Sequence, residues 1–217
     1  MEAVTLAHEV VRVLQDKVVQ ERPKWAFLVG HCRNYEAWWK AELALALEHW
    51  TWSFRGEKLG PELGFVTEAK PRDYGFGTSQ AAVDLLVGPW SEDSEDVRRD
   101  GGPRVWIELK ERGDWWVGNA AKAVGTANGG LAHDMQKWAD INWTSDDVVL
   151  ACHLLSYKAP YERPQLGEEW QSAMTEATGG RKPFVDPLIV GYPLDEESKC
   201  LWMRMDVFPI HVPEESR

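Results

Sequence analysis

The sequence VWIELK at residues 105–110 predicts a β-strand, because β-branched and aromatic side chains alternate with others in it. Successive strand side chains point to opposite faces of a sheet, so Glu108 and Lys110 share one face with Trp106. A carboxylate and an ammonium therefore lie two residues apart on a strand whose other side chains favour burial. Burying a charge is costly unless it is paired or binds a metal, which makes this pair the first candidate for chemistry.

Two further acidic residues stand in apolar surroundings. Asp84 lies in the middle of the apolar run 81–87, although Asp is depleted in strands. Glu42 lies in the helical pattern of residues 35–47, where the spacing places it on the apolar side with Trp38. Neither carboxylate therefore projects from the face that water would normally cover.

Three acids and one lysine in such surroundings are the groups that a Mg²⁺-dependent phosphodiesterase site requires. Mg²⁺ prefers oxygen ligands and keeps several waters, so a few carboxylates suffice to hold it. The cation lowers the pKa of a bound water and neutralises the charge that develops on the phosphate. A lysine beside it can orient or deprotonate the attacking water, or stabilise the transition state.

This order of residues resembles the PD-(D/E)xK superfamily, the restriction-endonuclease-like nucleases. Their core is a helix carrying Glu, a strand hairpin carrying Asp and Glu-x-Lys, and then a further helix and strand. The matching positions here are Glu42, Asp84, Glu108 and Lys110, and the resemblance covers roughly residues 34–155. It implies that Asp84 and Glu108 ligate Mg²⁺, for which Mn²⁺ can substitute, that Lys110 acts on the attacking water, and that Glu42 assists at the metal.

The fold implied by the resemblance is α/β, with a restriction-endonuclease-like core in which helices flank a mixed central sheet. We expect a single domain over residues 1–217, with an N-terminal helix before the core and strands after it. Sequence patterns predict helices at about 2–21, 34–49, 117–139 and 167–177, and strands at 63–67, 81–87, 104–110, 148–155, 188–191 and 201–207. Pro23 is interpreted as ending the first helix.

The charge balance bears on the partner. The chain carries 35 acidic and 24 basic side chains, for a formal net charge of −11. Proteins that bind nucleic acid usually have a basic surface, so the charge is either segregated around a basic cleft or the partner is a protein or a small phosphate. We expect nucleic acid, DNA rather than RNA, with a homodimer or a protein partner left open. A basic cleft around Lys110, Lys122 and Lys137 would favour a nuclease.

Cysteine usage and hydropathy bear on the compartment. Cys32, Cys152 and Cys200 are odd in number and far apart, so the sequence predicts neither a disulfide framework nor a cysteine zinc site. We find no secretory signal and no apolar run long enough to span a membrane, so no membrane partner is expected. A cytoplasmic location is the corresponding expectation.

The sequence thus predicts a Mg²⁺-dependent phosphodiester hydrolase, a deoxyribonuclease and more narrowly an endonuclease. The alternative is a nuclease-like module that does not cut and serves as a binding or assembly subunit. The acidic balance favours this alternative, whereas the complete set of Asp84, Glu108 and Lys110 argues against it. Asp134 and Lys137 lie in the next predicted helix, which the resemblance implies can carry a polar or basic residue facing the site. We favour the other interpretation, that they form a solvated helix face.

Overall fold

A mixed β-sheet with helices on both faces forms the centre of the molecule. The computed structural model describes residues 1–31, 36–55, 62–78, 80–91, 96–99, 101–113, 130–160, 166, 168–193 and 199–213. Within these ranges seven strands form the sheet, and one pair of neighbouring strands is parallel while the others are antiparallel. The predicted α/β class, with a mixed central sheet flanked by helices, is confirmed.

Four of the five described α-helices lie where the sequence predicts a helix, and the helix Arg22–His31 was not predicted. The five are α1 (Ala3–Gln20), α2 (Arg22–His31), α3 (Glu36–Arg55), α4 (Leu131–Ala139) and α5 (Glu168–Thr178). The helix predicted over 117–139 is described only from Leu131 onward, and its earlier part lies outside the described residues. Among the helices that are described, none has both the length and the apolar character that crossing a bilayer would require.

Pro23 has a different role from the predicted one. The first helix ends at Gln20, and Pro23 is the second residue of α2. Proline lacks a backbone N–H, but the first turn of a helix leaves its N–H groups without an intrahelical acceptor, so proline is tolerated there. The same residue that cannot continue α1 is therefore compatible with the beginning of a new helix.

Six of the seven described strands lie where alternation and apolar runs predict them, and the short strand Asp96–Val97 was not predicted. The seven are β1 (Leu63–Ala69), β2 (Val83–Ser91), β3 (Asp96–Val97), β4 (Arg104–Gly113), β5 (Asp147–Pro160), β6 (Leu188–Pro193) and β7 (Lys199–His211). Their spatial order is β1-β2-β4-β5-β7-β6, and the short β3 pairs with β2. The C-terminal strands thus complete the central sheet, because β7 lies directly beside β5.

The hydrophobic core is divided in two by the sheet. The first face packs against α1, α2 and α3 through residues such as Ile107 and Leu150. The second face packs against α4 and α5 through residues such as Trp106. Cys152 and Cys200 are both buried and free. Since alternate residues of a strand serve opposite faces, β4 presents apolar residues to the first face and its Glu108 and Lys110 to the second.

The parallel pair β4–β5 is held at its beginning by a buried ion pair. Arg104 donates to the Asp147 carboxylate through Nε at 2.8 Å and through Nη2 at 3.1 Å. The indole N–H of Trp106 donates to the same carboxylate at 2.8 Å, and Thr144 donates through its backbone N–H and its hydroxyl. Each of these groups donates a hydrogen bond to the Asp147 carboxylate. Its negative charge is therefore stabilised although the side chain has no exposed area.

We expect Asp147→Ala to lower the free energy of unfolding by about 3–5 kcal/mol, because it leaves the Arg104 guanidinium buried without its carboxylate. Urea unfolding of the two proteins measures the difference. Asp146→Ala is the matched control, since Asp146 is the neighbouring and exposed carboxylate. Equal stability of Asp147→Ala and Asp146→Ala would contradict this account of the ion pair.

Candidate active site

Strands β2 and β4 stop pairing next to Asp84. Their register joins Leu85 to Ile107 and continues from there toward Val87 and Val105. On the other side of Ile107, β4 continues beside β5, and Asp84 Oδ2 accepts the backbone N–H of Leu109 at 2.7 Å. The carboxylate thus replaces a backbone acceptor in the gap between the strands. This explains why an acid stands in a strand that is otherwise apolar.

Glu108 is a buried acid with an unused oxygen. Its side chain is 11 % exposed, and its Oε1 lies 3.7 Å from Lys137 Nζ. Its Oε2 is buried and makes no hydrogen bond of good geometry with the described residues, although the Trp138 side chain lies near enough to lower the pKa of Glu108. Burial and the neighbouring charge of Asp84 raise the pKa of Glu108 to about 7, although Lys137 acts in the opposite direction.

The pair of Asp84 and Glu108 fits a hard divalent cation. The charge of Asp84 raises the pKa of Glu108, so the two carboxylates repel each other when both are charged. A cation between them would remove that repulsion. The unpartnered oxygen of Glu108 is the kind of ligand that Mg²⁺ prefers. Among the described residues, no group of three or more His, Cys, Asp and Glu side chains is arranged to hold a metal. A cation here would therefore keep several water ligands.

Helix α4 supplies two charged side chains to the second face of the sheet. Asp134 is buried, and its Oδ2 lies 3.4 Å from Lys110 Nζ, while Lys137 contacts Glu108. The interpretation of Asp134 and Lys137 as a solvated helix face is therefore wrong. The sequence does contain the signal, because Asp134 falls within the apolar stripe that includes Leu131 and Trp138.

Helix α3 brings Lys40, and not Glu42, to Asp84. Lys40 Nζ lies 2.6 Å from Asp84 Oδ1, whereas Glu42 Oε2 lies 2.8 Å from Lys17 Nζ in α1. Lys17 also binds Glu21 at 2.8 Å. Residues two apart on a helix point in different directions, so Lys40 and Glu42 cannot serve the same site. The structure differs here from the expectation that α3 supplies a third carboxylate to the metal.

Six side chains form what we term the acid–lysine cluster, namely Asp84, Glu108, Asp134, Lys40, Lys110 and Lys137. The carboxylates are 9–11 % exposed, and the lysines are 18–33 % exposed. The acids therefore form the floor of the cluster, and the ammonium groups lie nearer to solvent. The sequence pattern predicted Asp84, Glu108 and Lys110 as site residues and Lys137 as part of a basic cleft, and it did not select Lys40 or Asp134. Lys122, the remaining lysine of the predicted cleft, lies outside the described residues.

The edge strand is distorted opposite Asp84. Glu68 lies between the pairs that join Thr67 to Leu85 and Ala69 to Val83. Its φ of 53° is in the left-handed region, which costs a residue other than glycine on the order of 1 kcal/mol. Its side chain is exposed. The backbone strain thus lies beside the same point at which β2 separates from β4.

Comparison of the chain with known protein families, with characterised proteins and with solved structures finds no match. The resemblance to the PD-(D/E)xK superfamily therefore stays a prediction based on four residues and their order. The chemistry of the cluster has to be inferred from its own contacts, burial and charges.

We expect the pKa of Glu108 to make the stability of the cation-free protein pH-dependent. Between the ordinary pKa of 4.5 and about 7, the folded chain holds a proton on Glu108 that the unfolded chain releases. The free energy of unfolding should therefore fall as pH rises through this window, by on the order of 3 kcal/mol from this group.

Glu108→Gln lacks the titrating group, so its stability should fall less over the same window. Urea unfolding of both proteins in a chelator, at about pH 5 and about pH 8, gives the comparison. A constant difference in stability between the two proteins at both pH values would refute the raised pKa.

Proposed function

We propose that this protein is a metal-dependent nuclease that hydrolyses phosphodiester bonds, with DNA as its substrate. The observation that carries the proposal is the meeting of Asp84 and Glu108 in the gap between two strands, with one buried oxygen of Glu108 unpartnered. The two carboxylates repel each other when both are charged, and a cation between them would remove that repulsion. Lys110, two residues further along the same strand, places an ammonium on the same face of the sheet.

The residues of the cluster would divide the work as follows. Asp84 and Glu108 would hold Mg²⁺, which supplies an activated water and neutralises charge on the phosphate when it is bound. Lys110 would orient the attacking water and stabilise the charge that develops on the phosphate oxygens. Asp134, 3.4 Å from the Lys110 ammonium, would keep that ammonium directed along the second face of the sheet.

Local charge supports a phosphate-bearing substrate despite the net charge of −11. The Lys40 and Lys137 side chains are 33 % and 28 % exposed, so both are partly accessible to solvent beside the buried acids. A positive rim over an acidic floor attracts a phosphate to the point where a cation would be bound. The charge of the chain would then be segregated, with the excess of acidic residues lying away from the cluster.

The alternative is a nuclease-like module that does not cut and serves in binding or assembly. One observation favours it, because each carboxylate of the cluster has a lysine ammonium within 3.7 Å. The cluster is therefore electrically balanced without any cation. Cation binding and cleavage assays decide between this alternative and the nuclease.

We expect Mg²⁺- or Mn²⁺-dependent cleavage of one or more of single-stranded, duplex and branched DNA by the wild-type protein. Asp84→Asn, Glu108→Gln and Lys110→Met should each lower the cleavage rate by about a hundredfold or more, because each removes a ligand or a charge next to the reacting phosphate. Rates are measured on the same substrates at saturating cation. Cleavage by Glu108→Gln at the wild-type rate would exclude this mechanism. Absence of both cleavage and Mn²⁺ binding in the wild type would support the non-cutting module.

Glu42→Gln serves as a matched control, because Glu42 is a partly buried, lysine-paired carboxylate on the helix that also carries Lys40. We expect it to cleave at the wild-type rate and to lose on the order of 1 kcal/mol of stability, since it weakens the contact with Lys17. Parallel cleavage and urea-unfolding measurements test this. A large loss of cleavage in a stably folded Glu42→Gln protein would show that Glu42 has a role in the active site after all.

A further inference from the structure

The two oxygens of Asp84 have partners of different kinds. Oδ2 accepts the Leu109 N–H at 2.7 Å, and Oδ1 lies 2.6 Å from Lys40 Nζ. The Lys40 side chain is 33 % exposed and the Asp84 side chain is 9 % exposed, so their contact is largely shielded from solvent. One side of the Asp84 carboxylate is therefore occupied by a fixed positive charge that comes from α3.

The side of Asp84 toward Glu108 is different. The charge of Asp84 acts on Glu108, and Glu108 Oε2 has no hydrogen-bond partner among the described residues. A divalent cation shared by these two acids would find a free oxygen and would relieve their mutual repulsion. The nearest described ammonium on this side, that of Lys137, is 3.7 Å from Glu108 and is thus held less closely than Lys40 is held by Asp84.

Two-cation sites hold their ions about 3.5–4 Å apart on shared acidic ligands. At Asp84 the second position would lie beside Lys40, where a divalent cation and an ammonium would repel each other strongly. Helix α3 was expected to supply the Glu42 carboxylate to the metal. It supplies the Lys40 ammonium to Asp84 instead, and Glu42 pairs with Lys17.

The remaining acid near Glu108, Asp134, has the Lys110 ammonium 3.4 Å from its Oδ2. The positive charges beside Asp84 and Asp134 therefore both oppose a second cation.

We propose that the site takes a single divalent cation, between Asp84 and Glu108, and that the Lys40 ammonium supplies the positive charge on the other side of Asp84. This inference rests on the proposed function. It gives Lys40 two opposing effects, because its charge weakens cation binding through repulsion and favours the reaction of an anionic phosphate. A lysine with only a structural role would not produce effects of opposite sign.

The first test counts Mn²⁺ bound to the full chain, using the electron paramagnetic resonance signal of free Mn²⁺. The acidic surface will bind additional Mn²⁺, so the relevant number is the difference between the wild type and Asp84→Asn. We expect a difference of one ion per chain. A difference of two overturns this inference and leaves the nuclease proposal intact. A difference of zero overturns both.

The second test uses Lys40→Met, which removes the ammonium and keeps an unbranched apolar chain. We expect Mn²⁺ to bind several-fold more tightly, up to about tenfold, and cleavage at saturating Mn²⁺ to fall about tenfold or more. Lys17→Met is the matched control, because Lys17 is also paired with an acid on α3, and its ion pairs are with Glu21 and Glu42 and not with residues of the cluster. It should change neither quantity.

Lys40→Arg keeps the positive charge. It shows whether a change in Lys40→Met comes from the lost charge or from misfolding of that variant. Lys40→Arg should bind Mn²⁺ with wild-type affinity and retain most of the cleavage that Lys40→Met loses. Weaker Mn²⁺ binding by a folded Lys40→Met, or cleavage by it at the wild-type rate, would overturn the role of Lys40.

Discussion

A hydrogen bond from the Leu109 N–H to Asp84 Oδ2 stands where β2 and β4 cease to pair, and the arrangement of the site depends on it. A backbone N–H that loses its partner inside a protein must find another acceptor, and the carboxylate of Asp84 provides one. In doing so Asp84 is held beside Glu108 with a fixed orientation. The strain at Glu68, opposite Asp84 on β1, lies at the same level of the sheet.

Charge balance then explains which helices pack near this gap. The acids of the sheet are buried, and buried charges require partners. Helix α4 contributes Lys137 to Glu108 and holds Lys110 through Asp134, while α3 contributes Lys40 to Asp84. The polar contacts at the ends of these apolar helix faces thus set how the helices meet the sheet. The contacts of the candidate site are therefore also contacts by which the helices pack on the sheet.

A second buried charge, Asp147, shows what a purely structural solution looks like. Both of its oxygens are used, by Arg104, Trp106 and Thr144, and its side chain has no exposed area. Glu108 differs, because it retains a buried oxygen without a partner among the described residues and borders accessible lysines. In one strand pair, the carboxylate of Asp147 has all of its oxygens hydrogen-bonded and that of Glu108 does not. This difference distinguishes a structural acid from a residue of the candidate active site.

The local pattern of the sequence was sufficient for the α/β class, for the positions of the long strands, and for Asp84, Glu108 and Lys110 as neighbours. These features depend on alternation and on acids placed in apolar runs, both of which are visible along the chain. The sequence pattern did not show which side chains contact those acids. Helical spacing puts Lys40 and Glu42 both near an apolar stripe. Only the docking of α3 beside α1 on the first face of the sheet decides that Lys40 meets Asp84 and Glu42 meets Lys17. Which charge reaches which acid depends on the relative placement of elements far apart in sequence, and that placement is a property of tertiary packing alone.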